Sequence, residues 1–228
     1  MSGSPTYAYV ALIDVLGYKK YLERDYQVGY LTFQHRLRNA LNILTDINEA
    51  IYQYQAISDT IIIICSDRNK FIDFIKLQQK LFISFLNENL LIRGGISYSH
   101  HFHSGNLTYS HAISLSHKLE SSVAIYPRIV VDHNVIELQK ELNTKIEKGL
   151  LLIHNGIYFI DFISQMGWKN AYNKLKQIYD EEKEIIYRDE TIFMKHYWLY
   201  HLLNNHELRQ DDIEPYISLP KQYEINTK

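Results

Sequence analysis

From Tyr7 to Ile13 the chain alternates apolar and polar positions and then turns apolar, the pattern of a buried strand that closes at Asp14. Gly17 then allows a tight exit. From about Tyr30 to Ala50, Leu31, Leu37, Leu41, Leu44 and Ile47 recur at helical spacing and predict one long helix packed on a sheet. Ile51 to Ala56 and Thr60 to Cys65 are rich in β-branched and aromatic residues. The Ser58-Asp59 pair between them suits a turn, so this stretch predicts a β-hairpin with Asp59 at its tip. Lys70 to Asn87 reads as a second helix, Leu91 to Ser97 as a strand, Asn106 to Leu119 as a helix starting near Ser110, and Arg128 to Val131 as a short strand. Gly149 to Ile153 and Ile157 to Ile163 flank Asn155-Gly156, a pair that accepts the positive φ of a two-residue hairpin turn. Beyond Gly167, Trp168 to Glu184 and Glu190 to Asn204 predict two helices, and Pro215 and Pro220 punctuate a polar tail. The order is that of an α+β protein with a mixed sheet. We expect residues 1–165 to form that domain and 166–228 a helical C-terminal extension packed on it.

Composition narrows the class. A chain of 228 residues, 46% hydrophobic and 22% charged, can bury one sizeable core. Its formal net charge of −2 argues against long nucleic acid as the main partner, because that binding draws on many uncompensated cations. The single Cys65 excludes an internal disulfide framework, fits a reducing cytosol and, at the end of an isoleucine run, reads as an inert core thiol. The opening residues have no secretory pattern, and no apolar run is long enough to span a bilayer, so the expected location is cytoplasmic.

Two carboxylates stand out. A strand, helix and hairpin unit can bring Asp14 at a strand end and Asp59 at a hairpin tip into one pocket. Such a pair suits hard divalent cations, and two ions about 3.5–4 Å apart support in-line phosphoryl displacement. Spacing alone favours the simpler roles, Asp14 capping the following helix and Asp59 forming an Asx turn.

The residues around the pair carry more. ALIDVLGYKKYL (Ala11 to Leu22) resembles the first metal motif of the class III nucleotide cyclases, and AISDTIIII (Ala56 to Ile64) is similar to their second, with Ser58 where Gly is commonest. LIRGGISYS (Leu91 to Ser99) resembles the strand after their next helix. The Leu-Glu, Ala and Tyr-Pro-Arg-Ile series in SHKLESSVAIYPRIVVD (Ser116 to Asp132) resembles the pyrimidine cyclases of bacterial Pycsar anti-phage defence. HNGIYFIDFI (His154 to Ile163) resembles the closing hairpin of that branch. The similarity spans roughly Tyr7 to Ile163.

The resemblance implies a class III cyclase-like, ferredoxin-like fold. It implies two divalent cations, Mn2+ or Mg2+, held by Asp14, Asp59 and the Ile13 backbone, with Gly17 and Tyr18 holding phosphate at the strand-to-helix exit. Gln55 falls at the base-selecting position and can donate and accept against a pyrimidine edge. Ser114 and Lys118 stand where many purine cyclases carry Asn and Arg, and Lys keeps the charge without the planar fork. Arg128 and Arg93 are substitutes for that Arg, Arg93 reading more simply as a structural ion pair. Tyr109-Ser110-His111 lacks the Gly-Pro of the Pycsar branch. The implied protein is a head-to-tail homodimer with composite sites. It cyclises a ribonucleoside triphosphate, UTP ahead of CTP, to a cyclic pyrimidine nucleotide read by a cyclic-nucleotide-responsive effector. The alternative is a catalytically silent cyclase-like domain that binds nucleotide or partner, favoured by Ser114 and Lys118. A nucleic-acid enzyme with a palm-like sheet is disfavoured by the charge balance.

Other clusters read more simply. His100, His101 and His103 suggest a polar loop rather than a zinc site, since no recognised ligand spacing completes them. Phe193, Tyr197, Trp198 and Tyr200 recur at helical spacing as a packing face, and Asp180 to Glu184 reads as a solvated helix face.

Overall fold

Successive side chains of the first strand, β1 (Thr6–Val15), point to opposite faces of a sheet and meet different neighbours. Tyr9, Ala11, Ile13 and Val15 enter the main core, whereas Ala8 and Val10 join a small cluster with Ile64 and Ala112. The protein is known as a computed structural model, which describes residues 6–104, 106–210 and 214–217.

After β1 come α1 (Tyr18–Val28), α2 (Thr32–Leu41), the hairpin β2 (Tyr52–Ile57) and β3 (Thr60–Cys65), and α3 (Phe71–Asn87). They are followed by β4 (Ile92–Ser104), β5 (Leu107–Ser110), α4 (His111–Ser122), β6 (Ile129–Val131) and α5 (His133–Glu141). The hairpin β7 (Leu151–His154) and β8 (Ile157–Ile160), then α6 (Phe162–Met166), α7 (Trp168–Ile186) and α8 (Glu190–Asn205), complete the order. The strands run β2-β3-β1-β4-β6-β8-β7, with β5 paired to β4. Among the described residues only β4 and β6 pair in parallel, so the sheet is mixed and the fold is α+β, as the sequence predicts.

Helix α3 packs on one face of the sheet and enters the main core through Phe74, Ile75, Leu81, Phe82 and Phe85. The opposite face receives α4. Ser116 Oγ donates to the Val10 carbonyl at 2.8 Å, and a Cβ added at Gly95 would lie 2.5 Å from both Leu119 Cβ and the Ser116 carbonyl oxygen. Glycine therefore sets the depth at which α4 lies on β4. Beside it α8 is fastened by Trp198, which stacks on Tyr126 at 5.3 Å and meets Phe159 edge-on. Phe193, Tyr197 and Tyr200 pack with Tyr179, Ile186, Tyr216 and Ile217, the packing role expected of that cluster. Among the described residues no helix is long and apolar enough to cross a membrane.

Several expectations are corrected. The helix expected over 30–50 is two. Gly29, left-handed at φ 73°, ends α1, and the Asp25 carboxylate accepts from the Phe33 and Gln34 amides to start α2. Past a short 3-10 turn at Asn42–Leu44 the chain leaves helix, so Ile47 does not continue the stripe. Helix α5 was not anticipated; Asp132 caps it by accepting from the Asn134 amide. The histidine stretch is not a loop but the far half of β4, zipped to β5 from His101↔Ser110 to Ser104↔Leu107. Of the acidic run, Glu182 turns inward to accept from Tyr21 Oη at 2.8 Å and pair with His196 Nε2 at 3.0 Å. The tail is packed at residues 214–217, where Tyr172 donates to the Glu214 carbonyl; Pro220 lies outside the described residues.

Candidate active site at the end of the first strand

In the ladder Asp14 stands opposite Thr60 on β3 and Arg93 on β4. The Val15 amide donates to the Asp59 carbonyl at 3.0 Å, tying the β2–β3 tip to the end of β1. Ser58 holds that tip at φ 59°, the left-handed region. The two aspartates thus share one end of the sheet, and neither takes the alternative role. Gly17, not Asp14, is the N-cap of α1, and among the described residues the Asp59 carboxylate takes no hydrogen bond from its own turn.

The electrostatics mark the place. Asp14 is half-buried, and its carboxyl is pushed up to about 6 by burial first, then by Glu120 and Asp59, with Arg93 opposing. Arg93 Nε lies 2.7 Å from Glu120 Oε1 and 3.5 Å from Asp14 Oδ2. Two carboxylates therefore share one guanidinium while Asp59 adds negative charge at Asp14, and the Arg93 and Glu120 atoms are close without alignment as a hydrogen bond. An oxygen-only, under-neutralised donor set fits a hard divalent cation that keeps water and substrate oxygens for its remaining positions. Among the described residues no three His, Cys, Asp or Glu side chains converge into a closed metal cage.

The exit from β1 leaves main-chain amides unused. Leu16 donates to the Leu91 carbonyl at 2.9 Å, Gly17 turns the chain at φ 77°, and α1 begins with no side-chain cap, no acid in its first turn, and Lys19 and Lys20 within it. Free amides and the helix dipole there favour negative charge. The Tyr18 ring packs edge-on to Phe33 at 5.3 Å, which leaves its main chain for the exit. Ile13 is paired on both sides, to Ile61 and Gly94, with its side chain in the core.

The remaining sequence candidates spread out. Gln55 is exposed on the edge strand and pairs with Ile62, which pairs with Leu12; it therefore shares the face of Asp14, one strand repeat away. Ser114 and Lys118 lie on the exposed side of α4, away from the buried Ala112, Ser116 and Glu120. Arg128 is buried in an aromatic cage, 5.2 Å from the Trp198 ring centre and 5.5 Å from that of Phe159, with Nη2 donating to the Val123 carbonyl at 3.0 Å. Cys65 is buried, and burial pushes its thiol up to about 11, consistent with an inert role.

Sequence reasoning missed Glu120 as a site residue. Its position in the buried stripe Ala112, Ser116, Glu120 was the available signal, since a buried carboxylate demands a partner. Cavities of about 580 Å3 between α3 and α7, about 440 Å3 along α7 and about 400 Å3 between the β7–β8 hairpin and α8 include neither aspartate.

No protein-family model matches the sequence, and no curated protein matches it. Solved structures do. Two structures of a bacterial light-regulated adenylyl cyclase superpose with TM-scores of 0.51 and 0.50 at 12% identity, covering 73% and 71% of this chain and 58% and 54% of theirs. The chain thus spans little more than half the length of those proteins. Its mixed sheet with covering helices is the fold of class III nucleotide cyclase domains.

Proposed function

We propose that this chain is a nucleotide cyclase that acts on a pyrimidine ribonucleoside triphosphate, UTP ahead of CTP. The observation that carries the reading is the convergence of Asp14 and Asp59 at one end of a cyclase-type sheet, with Asp14 crowded by negative charge. Asp14, Asp59 and the Ile13 carbonyl would hold two divalent cations, Mg2+ or Mn2+, which when bound supply charge neutralisation on the triphosphate and acidify the ribose 3′-hydroxyl.

The chain's own groups do the rest. The Gly17 and Tyr18 main chain at the start of α1 orients the phosphates. Gln55 reads the pyrimidine edge from the Asp14 face of the sheet. The exposed Ser114 and Lys118 of α4 reach the ribose and phosphate of a site on a second copy of the chain, so that each site of a homodimer is composite. Arg128 acts on substrate only by leaving its aromatic cage, and otherwise fixes α8 against the sheet. The 3′-oxygen attacks the α-phosphorus, the bond to the pyrophosphate leaving group breaks, and a 3′,5′-cyclic nucleotide remains. Cyclic UMP or CMP would be an anti-phage alarm signal for a cyclic-nucleotide-responsive effector, a role that rests on the motif series at Ser116 to Asp132.

The exposed Ser114 and Lys118 also support a second reading, a silent domain that binds nucleotide without turning it over. Mixing Asp14→Ala with Lys118→Ala chains separates the two. A composite cyclase regains product that neither variant forms alone; a mixture that stays inactive while wild type turns over contradicts the shared site.

A further inference from the structure

Helix α8 brings a cation to the same strand end, from a part of the chain with no counterpart in the motif series. Lys195 is half-buried and lines a cavity of about 60 Å3 with Leu16, Gly17, Lys20, Leu91 and Ile192, at the exit that follows Asp14. The helix is held on both sides of this lysine. His196 pairs with Glu182 at 3.0 Å, and Trp198 stacks on Tyr126 at 5.3 Å.

Among the described residues Lys195 has no carboxylate within 4.0 Å, although Asp14, Asp189 and Glu182 all act on it at longer range. Glu182, the acid of the cavity wall, is already engaged by Tyr21, His196 and, at 4.0 Å, Lys20. Burial and the nearby Arg93 both weigh against the charged ammonium. A half-buried cation beside a guanidinium is stabilised by a polyanion placed between them. At about 60 Å3 the cavity is small, nearer the size of a phosphoryl group than of a base.

We infer that Lys195 is a substrate-binding residue, supplied by α8 of the same chain, that contacts the terminal phosphates of the triphosphate and the departing pyrophosphate. This rests on the cyclase reading above and adds a fixed charge to it. The leaving group then has a cation in place before the bond to the α-phosphorus breaks.

The test is calorimetric titration of the full-length protein with inorganic tripolyphosphate in Mg2+, using Lys195→Met, which keeps the apolar stem, and Lys195→Arg, which keeps the charge. Melting temperatures confirm folding, and Lys80→Ala, an exposed cation on α3, serves as the control. Lys195→Met should bind about 10–100-fold more weakly, the loss of one charge-assisted contact, with Lys195→Arg recovering part of it. Unchanged affinity in a folded Lys195→Met chain overturns the assignment and leaves the cyclase reading standing. Absence of tripolyphosphate binding to wild type removes both. Should Lys195→Met not fold, Lys195→Arg and Lys195→Gln give the same comparison, and equal affinity in those two overturns it.

Discussion

Asp59 is joined to β1 through its backbone: its carbonyl accepts from the Val15 amide at 3.0 Å, one residue past Asp14. That bond brings the Asp59 main chain to the end of β1 whatever either side chain does. Convergence is thus a property of the ladder and survives replacement of the acids themselves. Asp14→Asn should abolish product formation, by about 10³-fold, yet leave the metal-free protein no less stable than wild type, because the amide relieves crowding against Glu120 and Asp59. Paired thermal melts and turnover assays check this; a variant that both unfolds and loses activity contradicts it.

Ser58 occupies a left-handed position at φ 59° where the family motif prefers glycine. Ser58→Gly should raise stability by about 0.5–1 kcal/mol, the backbone strain outweighing the added unfolded-state freedom, without loss of activity. Denaturant titration measures it.

Gly95 lets α4 rest on β4, and a methyl there would meet Leu119 Cβ and the Ser116 carbonyl at 2.5 Å. Gly95→Ala should cost about 2–3 kcal/mol and displace the helix that carries Ser114, Lys118 and Glu120. The expected result is a lower melting temperature together with a loss of activity.

Asp161 is almost fully buried, caps α6 through the Ile163 and Ser164 amides, and faces His206 at 3.3 Å. Burial pulls its carboxyl up, but the bonds from His206 and Ser164 win and hold it below its ordinary value of 3.8. A depressed carboxylate contributes stability above its unfolded value and loses it as pH falls through the folded one, so this contribution begins to fall at about pH 3.8 and is gone once pH passes below the folded value. Asp161→Ala should cost about 3 kcal/mol at neutral pH and flatten that acid limb, as read from melts across pH.

Much of the fold was legible because its signals are local. Isoleucine runs named β3, Asn155-Gly156 named the β7–β8 turn, and Ser110 marked the start of α4 within a residue. What was lost depended on contacts distant in sequence. The split between α1 and α2 hinges on Asp25 reaching across Gly29 to cap the next helix, so the apolar spacing alone ran the two together. The histidines of β4 read as loop because half that strand's support is the β5 return, which has no apolar alternation of its own. For the site, Asp14 and Asp59 could be named from strand-end and turn positions. Lys195 could not, since nothing along α8 shows which side meets Gly17.

The central claim is tested most directly by incubating the purified protein and Mn2+ with each of the four ribonucleoside triphosphates and identifying products by mass spectrometry. A 3′,5′-cyclic pyrimidine nucleotide with equimolar pyrophosphate, absent from the Asp14→Ala chain, is the predicted result. No cyclic product from any of the four, with infected-cell extract also supplied, would contradict it.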